Sequence, residues 1–272
     1  NNSLHSCRDM DHTWQVEVAL FPPEHSEYQP GESDSTALED NCYRLLDRIR
    51  GYKGVEALAV LSNWSTPGGG GYYGDWFRSR KDTTRSGHGQ AILFDPRTDF
   101  FKVFRYTTKE GKPVSVDDFD WADPKSVIIG NMAKETFFPD GDAIGQILES
   151  PEMPDEWNFV VKGVVGDIKR FDYERPQLTF YRAWRATADN ITEEMEIAVR
   201  SRESIPDKQF LQDFKQTMSR ELRVGNFYLK GVKSYNQINK DTDFEFGQTN
   251  NVRIRTAFLL FFLINIMLCV MG

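Results

Sequence analysis

The residue types best suited to chemistry lie in a glycine-rich segment, STPGGGGYYGDWFRSR, residues 65–80. Consecutive glycines let backbone N–H groups turn towards an anion, as they do in phosphate-binding loops. Such a loop also needs Gly-Lys-Ser/Thr at the start of a helix, and here four glycines run into two tyrosines. The segment therefore argues against ATP binding. We interpret it as a surface loop, with a sharper alternative: a contact loop for a partner or exported substrate, formed by Tyr72, Tyr73, Trp76 and Phe77.

The remaining titratable and nucleophilic residues form no recognisable catalytic or metal-binding motif. The histidines lack metal-ligand spacing such as HExxH, and the chain has no GxSxG motif and no Cys/His arrangement typical of a nucleophile. The acidic clusters are most simply interpreted as solvated loop carboxylates. We therefore expect no catalytic residue, cofactor or metal site. The residues weighed here are His5, His12, His25, His88, Asp117, Asp118, Asp120, Glu193 and Glu194.

Composition and cysteine content indicate a packed body without a disulfide framework. The 272 residues carry 33 Lys+Arg against 41 Asp+Glu, a net charge of −8, which argues against nucleic acid as a partner. Aromatic residues make up 13% of the chain and favour a globular core. Since Cys269 lies in an apolar run, only Cys7 and Cys42 could pair, and the favoured interpretation places Cys42 on the buried face of a helix.

Hydrophobic periodicity predicts two βαβ-like units near the two ends of the chain. Residues 13–21 alternate as a half-buried strand, residues 35–50 have helical spacing with Asp34 or Ser35 as the N-cap, and residues 55–62 form the next strand. The same strand, helix, strand order recurs over residues 195–235.

Between these units, residues 89–185 consist of short strands and turns, interrupted by one short helix over residues 131–137. The sequence thus predicts an α+β fold with two βαβ-like lobes, around residues 13–62 and 195–235, and a β-rich inserted subdomain.

The chain ends on TAFLLFFLINIMLCVMG, in which Asn265 is the only polar side chain from Ala257 to Met271 and apolar residues cover every helical face. The run is shorter than the roughly 20 residues that cross a bilayer. A helix that is apolar all round must be buried in protein or in lipid. We therefore expect residues 253–272 to begin a transmembrane helix, with residues 1–252 as the extracytoplasmic body. The lipid-facing residues would be Phe258, Leu260, Phe262, Ile264 and Leu268.

A run in the middle of the chain carries a family resemblance. The segments SVIIGNMAKETFFPDGDAIGQIL and WNFVVKGVVGDIKR contain a strand, a glycine, a short helix ending in Phe, an Ile-Gly pair and a Val-Val-x-Gly-Val sequence. This pattern resembles the periplasmic core domain of MacB/FtsX-type ABC transporter permeases. The matching residues with structural roles are Gly130, Phe137, Ile144, Gly145 and Gly163. Gly130 would allow a tight turn from strand to helix, and Ile144-Gly145 would close the next turn against the same layer.

The resemblance implies a function without enzymatic activity in this chain. The domain would face the periplasm from the bacterial inner membrane and transmit ATP-driven conformational change for efflux, lipoprotein or peptide export, or envelope-protein regulation. Implied partners are a separate or fused ABC ATP-binding subunit, a second permease subunit, a periplasmic adaptor or envelope protein, and membrane lipid. The alternatives are a ligand-sensing ectodomain of a membrane receptor and an anchored extracellular enzyme, for which the sequence offers no convincing constellation of polar residues.

Overall fold

The computed structural model describes residues 6–67, 71–170, 174–242 and 254–262, and within them it is a mixed α/β structure built around a large sheet. The described strands are β1 (Thr13–Leu20), β2 (Val55–Ser62), β3 (Gly74–Ser79), β4 (Ser86–Phe94), β5 (Ser126–Gly130), β6 (Ile147–Glu149), β7 (Asn158–Val165), β8 (Thr179–Ala183), β9 (Met195–Ser201) and β10 (Phe227–Ser234). The helices are α1 (Ser35–Arg50), α2 (Phe100–Val103), α3 (Asn131–Phe137) and α4 (Asp207–Glu221). Residues 235–242 and 254–262 are also helical.

Helix α1 is bounded by a capping residue at each end. The Asp34 carboxylate accepts a hydrogen bond from the backbone N–H of Ala37 at 2.8 Å, which satisfies a donor that the first turn leaves open. Gly51 forms the C-cap. The buried face is the predicted one and consists of Leu38, Asn41, Cys42, Leu45, Leu46 and Ile49. These side chains cover one face of the sheet between β1 and β2.

The two βαβ units exist, but they do not form two lobes. Their strands alternate in the order β10-β1-β9-β2, with β9 antiparallel to both β1 and β2, and β10 antiparallel to β1. Each unit is therefore a split βαβ motif that receives a strand of the other unit at its centre. Helices α1 and α4 share one apolar core on a single face of this sheet, so the predicted separation into lobes is wrong.

The β-rich insert closes on itself. Strands β4, β3, β6, β7, β5 and β8 pair in that order, and β8 returns to pair with β4 in parallel. The paired strands begin at Gly74, earlier than the predicted insert. Phe77, Phe159 and Phe180 meet in an apolar cluster that also contains Val127, Ile129, Phe137 and Leu148. We refer to these six strands as the strand ring.

A third apolar cluster joins the strand ring to the four-stranded sheet. It combines Phe94 and Tyr181 of the ring with Ala59 of β2 and Ala198 of β9, and α2 contributes the buried Phe100 and Phe101. On this side, Asp99 N donates to Leu58 O and Asp95 N to Val60 O, at 2.8 Å each. The ring and the sheet are thus held together by a continuous apolar layer and by backbone hydrogen bonds.

The start of β1 and the end of β10 lie at the same end of the sheet. Trp14 at the start of β1 lies opposite Ser234 at the end of β10. Just outside the strands, the Asn236 side chain donates to Asp11 Oδ1 at 2.7 Å. At the other end of the sheet, β2 ends beside the start of β9, and Ser62 lies opposite Met195. We call these two ends the poles of the sheet: β1 begins and β10 ends at one pole, and the chain passes to and from the strand ring at the other.

Candidate functional site

The glycine-rich segment lies at the pole opposite the chain's entry and exit, and part of it is a strand. Gly74–Ser79 forms β3, in which Asp75, Phe77 and Ser79 point inward and the alternate side chains point outward. Phe77 is fully buried in the strand ring, so its predicted role in a contact loop is wrong: period-two alternation turns it away from Trp76. Glycines 68–70 lie outside the described residues.

The other predicted contact residues are at least partly exposed and form two groups, one around His88 and one made of Trp64 and Tyr73. Trp76 is 51% exposed, Tyr72 is 40% exposed and Tyr73 is partly exposed. Trp76 lies directly opposite His88 in the β3–β4 pair, and the Tyr72 ring lies 6.3 Å from the His88 ring. Trp64, itself 52% exposed, contacts Tyr73 edge-on at 6.1 Å. We call Trp64, Tyr72, Tyr73, Trp76 and His88 the aromatic surface.

A buried ion pair lies on the inner side of the strand that carries this surface. Arg182 Nε lies 3.0 Å from Asp75 Oδ2, and both side chains are at least 93% buried. The Arg182 guanidinium also lies over the rings of Trp157 and Phe159, at 4.7 and 4.8 Å. Burial raises the pKa of Asp75, and Arg182 and the Tyr73 hydroxyl oppose that shift. The pair ties β3 to β8 across the ring interior, where the apolar rings hold the guanidinium in place.

The glycines of the resemblance motif have different physical roles. Gly145 has a φ of +81°, a conformation that favours glycine, so the predicted turn is present. Gly130 has an ordinary φ of −68°, so its turn does not need glycine for its backbone angle; a Cβ there would lie 3.0 Å from the Asp167 carboxylate. Gly163 is needed for space, because a Cβ would lie 2.2 Å from the Phe119 ring.

The apolar residues of the same motif divide between core and surface. Phe137 is 1% exposed and packs against the core of the strand ring, as its motif role requires. Ile144 is 57% exposed, so the predicted packing of this residue against the layer is wrong. Gly145 directs the chain back to β7, where its N–H donates to Val161 O at 2.8 Å, and leaves the preceding side chain outside.

Residues 254–262 form a helix whose apolar side chains are exposed. Phe258 is 70% exposed, Leu260 is 56% exposed and Phe262 is 65% exposed. Leu259 and Phe261, on the other faces, are also more than half exposed. Ile264 and Leu268 lie outside the described residues. None of the helices in the described part of the chain has the length and apolar character needed to span a membrane.

Of the other residues considered for chemistry, His5 lies outside the described residues, and His12 binds Asp207 at 2.7 Å. Cys7 and Cys42 are both free thiols, and burial raises the pKa of Cys42 to about 12. Asp118 accepts from the backbone N–H of Ser115 at 2.8 Å, and Asp120 binds Lys162 at 3.1 Å. Over residues 6–67, 71–170, 174–242 and 254–262, no group of three or more His, Cys, Asp or Glu side chains could hold a metal ion.

Several residues important to this arrangement were missed by sequence reasoning. Asp75 and Arg182 are separated by more than one hundred positions and meet only because β3 and β8 belong to the same ring. His88 joins the aromatic surface through the β3–β4 register. One available signal was the alternation in GDWFRS, which has the period of a strand rather than of a loop. The pairing partners had no comparable signal.

No protein-family model and no curated protein matches the chain. Among solved structures, it is similar to the periplasmic region of MacB from Actinobacillus actinomycetemcomitans, with 11% identity and a TM-score of 0.44, over 86% of this chain and 94% of that one. It is also similar to the extracellular domain of the noncanonic ABC-type transporter YknZ from Gram-positive bacteria, with 11% identity and a TM-score of 0.41, over 80% and 100% of the two chains. At TM-scores below 0.5 these matches carry no argument for function.

Proposed function

We propose that this chain contributes the extracytoplasmic domain of an ABC transporter permease, facing the periplasm from the bacterial inner membrane. The observation that carries the proposal is the helix over residues 254–262, in which five consecutive apolar residues, 258–262, are each more than half exposed. In water such a surface is unfavourable by about 25 cal/mol for each Å² of apolar area. Lipid is the partner that can cover every face of a single helix.

The position of the chain's entry and exit supports a domain held between two membrane segments. Trp14 and Ser234 lie opposite each other in adjacent strands, and Asp11 and Asn236 are hydrogen-bonded at 2.7 Å. A domain inserted between neighbouring transmembrane helices needs this proximity. We infer that residues 1–252 form the extracytoplasmic body and residues 253–272 the start of a transmembrane helix.

In this arrangement the aromatic surface faces away from the membrane. Trp64 follows the end of β2, at the pole of the sheet opposite Trp14 and Ser234. Exposed Trp and Tyr side chains combine a large apolar area with a polar tip and are enriched at interfaces. We infer that Tyr72, Tyr73 and Trp76 contact a periplasmic adaptor, an envelope protein or the exported substrate.

The topology determines how such a domain would transmit motion. Because β9 lies between β1 and β2, the two βαβ units share hydrogen bonds along the sheet and cannot slide past each other as lobes. Motion started by an ABC ATP-binding subunit would therefore move the described body as a whole, relative to the body of a second permease subunit. Such transmission needs two states whose populations the ATPase biases.

Membrane attachment is tested with two matched substitutions. Leu260→Arg places a charge on the helix over residues 254–262, where a position inside the bilayer costs about 3 kcal/mol. Ile144→Arg makes the same kind of change at another exposed apolar residue. For a protein of residues 1–272, we expect Leu260→Arg to lower the partition coefficient into lipid vesicles, measured by flotation, about 100-fold, and Ile144→Arg to leave it unchanged. Equal binding of both variants would contradict the proposal.

The transporter role is tested separately by co-purification. The full-length protein is expressed with its chromosomal neighbours, solubilised from membranes and isolated, and the eluate is assayed for ATP hydrolysis. A stoichiometric ATP-binding subunit supports the permease. A membrane protein that purifies alone, with a signalling domain in its own chain, would instead indicate the receptor ectodomain.

A further inference from the structure

Glu196 is a buried acid on the central strand β9. It is 6% exposed and lies on the face of the sheet opposite α1 and α4, because Ile197 and Val199 point towards those helices. The alternate residue Ala198 belongs to the apolar cluster that also contains Phe104 and Tyr235. The carboxyl group thus lies in an apolar seam between the sheet and the elements that cover it.

This carboxyl group connects the sheet to the helical residues 235–242. Tyr235 Oη and Glu196 Oε1 are hydrogen-bonded, with the hydroxyl as donor to the carboxylate or as acceptor of the proton of the neutral acid, and Gln15 Nε2 on β1 donates to Glu196 Oε2 at 2.8 Å. Tyr235 is 1% exposed, and Ile238, one turn later, packs against the same apolar cluster. Within the sheet, the first turn of this helix is therefore held by this polar contact inside an apolar contact area, and beside the sheet it is held by the Asn236–Asp11 hydrogen bond.

The charged groups around Glu196 favour its neutral form. The negative charge of Glu17 on β1 repels a carboxylate at Glu196. Lys233 of β10 binds Glu17 at 3.0 Å and forms no ion pair with Glu196. On the covering elements, Lys102 of α2 and both Lys240 and Asp241 of residues 235–242 are exposed to solvent.

The nearest buried cation on the same strand has other partners. Arg200 Nε donates to Val103 O at 2.7 Å, and its Nη2 donates to Asp9 O at 2.9 Å. The charges that act on Arg200 are those of Asp9, Arg105 and Glu56. No described cation therefore forms an ion pair with the Glu196 carboxylate.

We propose that Glu196 is a proton-operated latch that holds residues 235–242 on the sheet when it is protonated and loosens them when it releases its proton to solvent. The neutral carboxyl group suits the apolar seam, whereas the carboxylate must be desolvated there or draw water in. Opening the seam at Tyr235 lets the carboxylate be hydrated. The ionised state is therefore relieved by displacement of this one helix.

The direction of the pH dependence follows from the raised pKa of Glu196. Burial, reinforced by Glu17, raises the pKa of Glu196 from 4.5 to about 7, although Tyr235 and Gln15 act against the shift. A raised folded-state pKa means that the docked state binds the proton more tightly. The protonated Glu196 therefore contributes fully to docking below a pH of about 4.5, and this contribution is lost as the pH rises through about 7.

The latch would act near neutral pH, between the sheet and the segment that leads in sequence towards the apolar helix. Its coupling to a membrane helix rests on the proposed function. The local change in docking does not, so the two can fail independently.

The test is hydrogen exchange of the full chain in detergent micelles, at about pH 5.5 and about pH 8.5, with each rate corrected for the intrinsic pH dependence of exchange. We expect the protection factors of residues 235–242 to fall about tenfold or more at the higher pH. Glu196→Gln keeps the shape and hydrogen-bonding capacity of the neutral acid, so its protection should stay high at both pH values. Glu17→Gln is the matched control and should keep the pH dependence, with a midpoint at lower pH.

Two outcomes would overturn the latch: protection of residues 235–242 that does not change with pH, or an equal change in Glu196→Gln and the wild type. A second measurement does not depend on folding of the variant. The infrared carbonyl band of protonated carboxyl groups is followed in the wild type against pH. A band that persists until near-neutral pH supports the latch, and complete ionisation by about pH 5.5 rules it out.

Discussion

Gly163 on β7 is a residue whose missing side chain leaves space for a neighbouring ring. A Cβ would lie 2.2 Å from Phe119 Cε1 and 3.2 Å from Ile128 Cδ1. Because Phe119 also contacts the Phe101 ring at 5.7 Å, it cannot move without disturbing the cluster that joins the strand ring to the sheet. We expect Gly163→Ala to lower the free energy of unfolding by about 1–3 kcal/mol, measured by urea denaturation.

The matched control is Gly141→Ala. A Cβ at Gly141 has no neighbour within 4 Å, so the same added methyl group meets open space. Its effect should stay within about 0.5 kcal/mol. If both variants are equally stable, the ring of Phe119 rearranges freely and the space argument for Gly163 is wrong.

The role of a glycine could be predicted from the sequence where the backbone angle itself requires glycine. The Ile-Gly pair predicted a turn, and Gly145 has the positive φ that explains it. The tight turn at Gly130 was predicted on the same ground, yet its φ of −68° is available to any residue. The contacts of Asp167 with Gly130, and of Phe119 with Gly163, are long-range in sequence. A single sequence carries no signal for them.

At the scale of elements, the start of α1 provides a prediction that the sequence left undecided. Both Asp34 and Ser35 could act as N-cap, and the structure selects Asp34, whose Oδ1 lies 2.8 Å from the N–H of Ala37. Asp34→Ala should therefore lower the free energy of unfolding by about 1 kcal/mol. Ser35→Ala, the matched control inside the first turn, should have an effect within about 0.5 kcal/mol. A larger loss for Ser35→Ala in thermal denaturation would reverse the cap assignment.

Elements with strong periodicity were predicted well. The bounds of α1, β2 and α3 agree with the expectation, since capping residues and apolar spacing are local properties of the chain. For β3 the sequence predicts part of a loop instead, because four glycines and two tyrosines precede this strand. It pairs with β4 in a local hairpin and with β6, which lies far along the chain at residues 147–149.

At the scale of the whole molecule, the interleaved sheet is what sequence reasoning could not supply. The order of strand, helix, strand at both ends was correct, but the order is the same whether the two units stand apart or exchange strands. Whether the units stand apart or exchange strands depends on tertiary packing. A split βαβ unit leaves a gap between its parallel strands, and β9 fills the gap of the first unit while β1 fills that of the second. The shared core of α1 and α4 follows from this exchange.

Interleaving predicts that the two βαβ units lose stability together. Leu45 of α1 is fully buried in the core shared with Phe214 and Met218 of α4. Leu45→Ala should destabilise this core by about 2–5 kcal/mol. Because β9 is hydrogen-bonded to both β1 and β2, hydrogen exchange in mild denaturant should show β9 and β10 losing as much protection as β1 and β2.

The comparison variant is Leu148→Ala, which removes the same atoms from a fully buried position in the strand ring. It should reduce protection in β5, β7 and β8 more than in β9 and β10, since its contacts lie within the ring cluster. Independent lobes would give a different pattern, in which Leu45→Ala loosens β1 and β2 and leaves β9 and β10 protected. That pattern would restore hinge motion between lobes as a means of transmission. If β1, β2, β9 and β10 lose protection together, the four-stranded sheet behaves as one body. Motion must then reach the strand ring through that sheet.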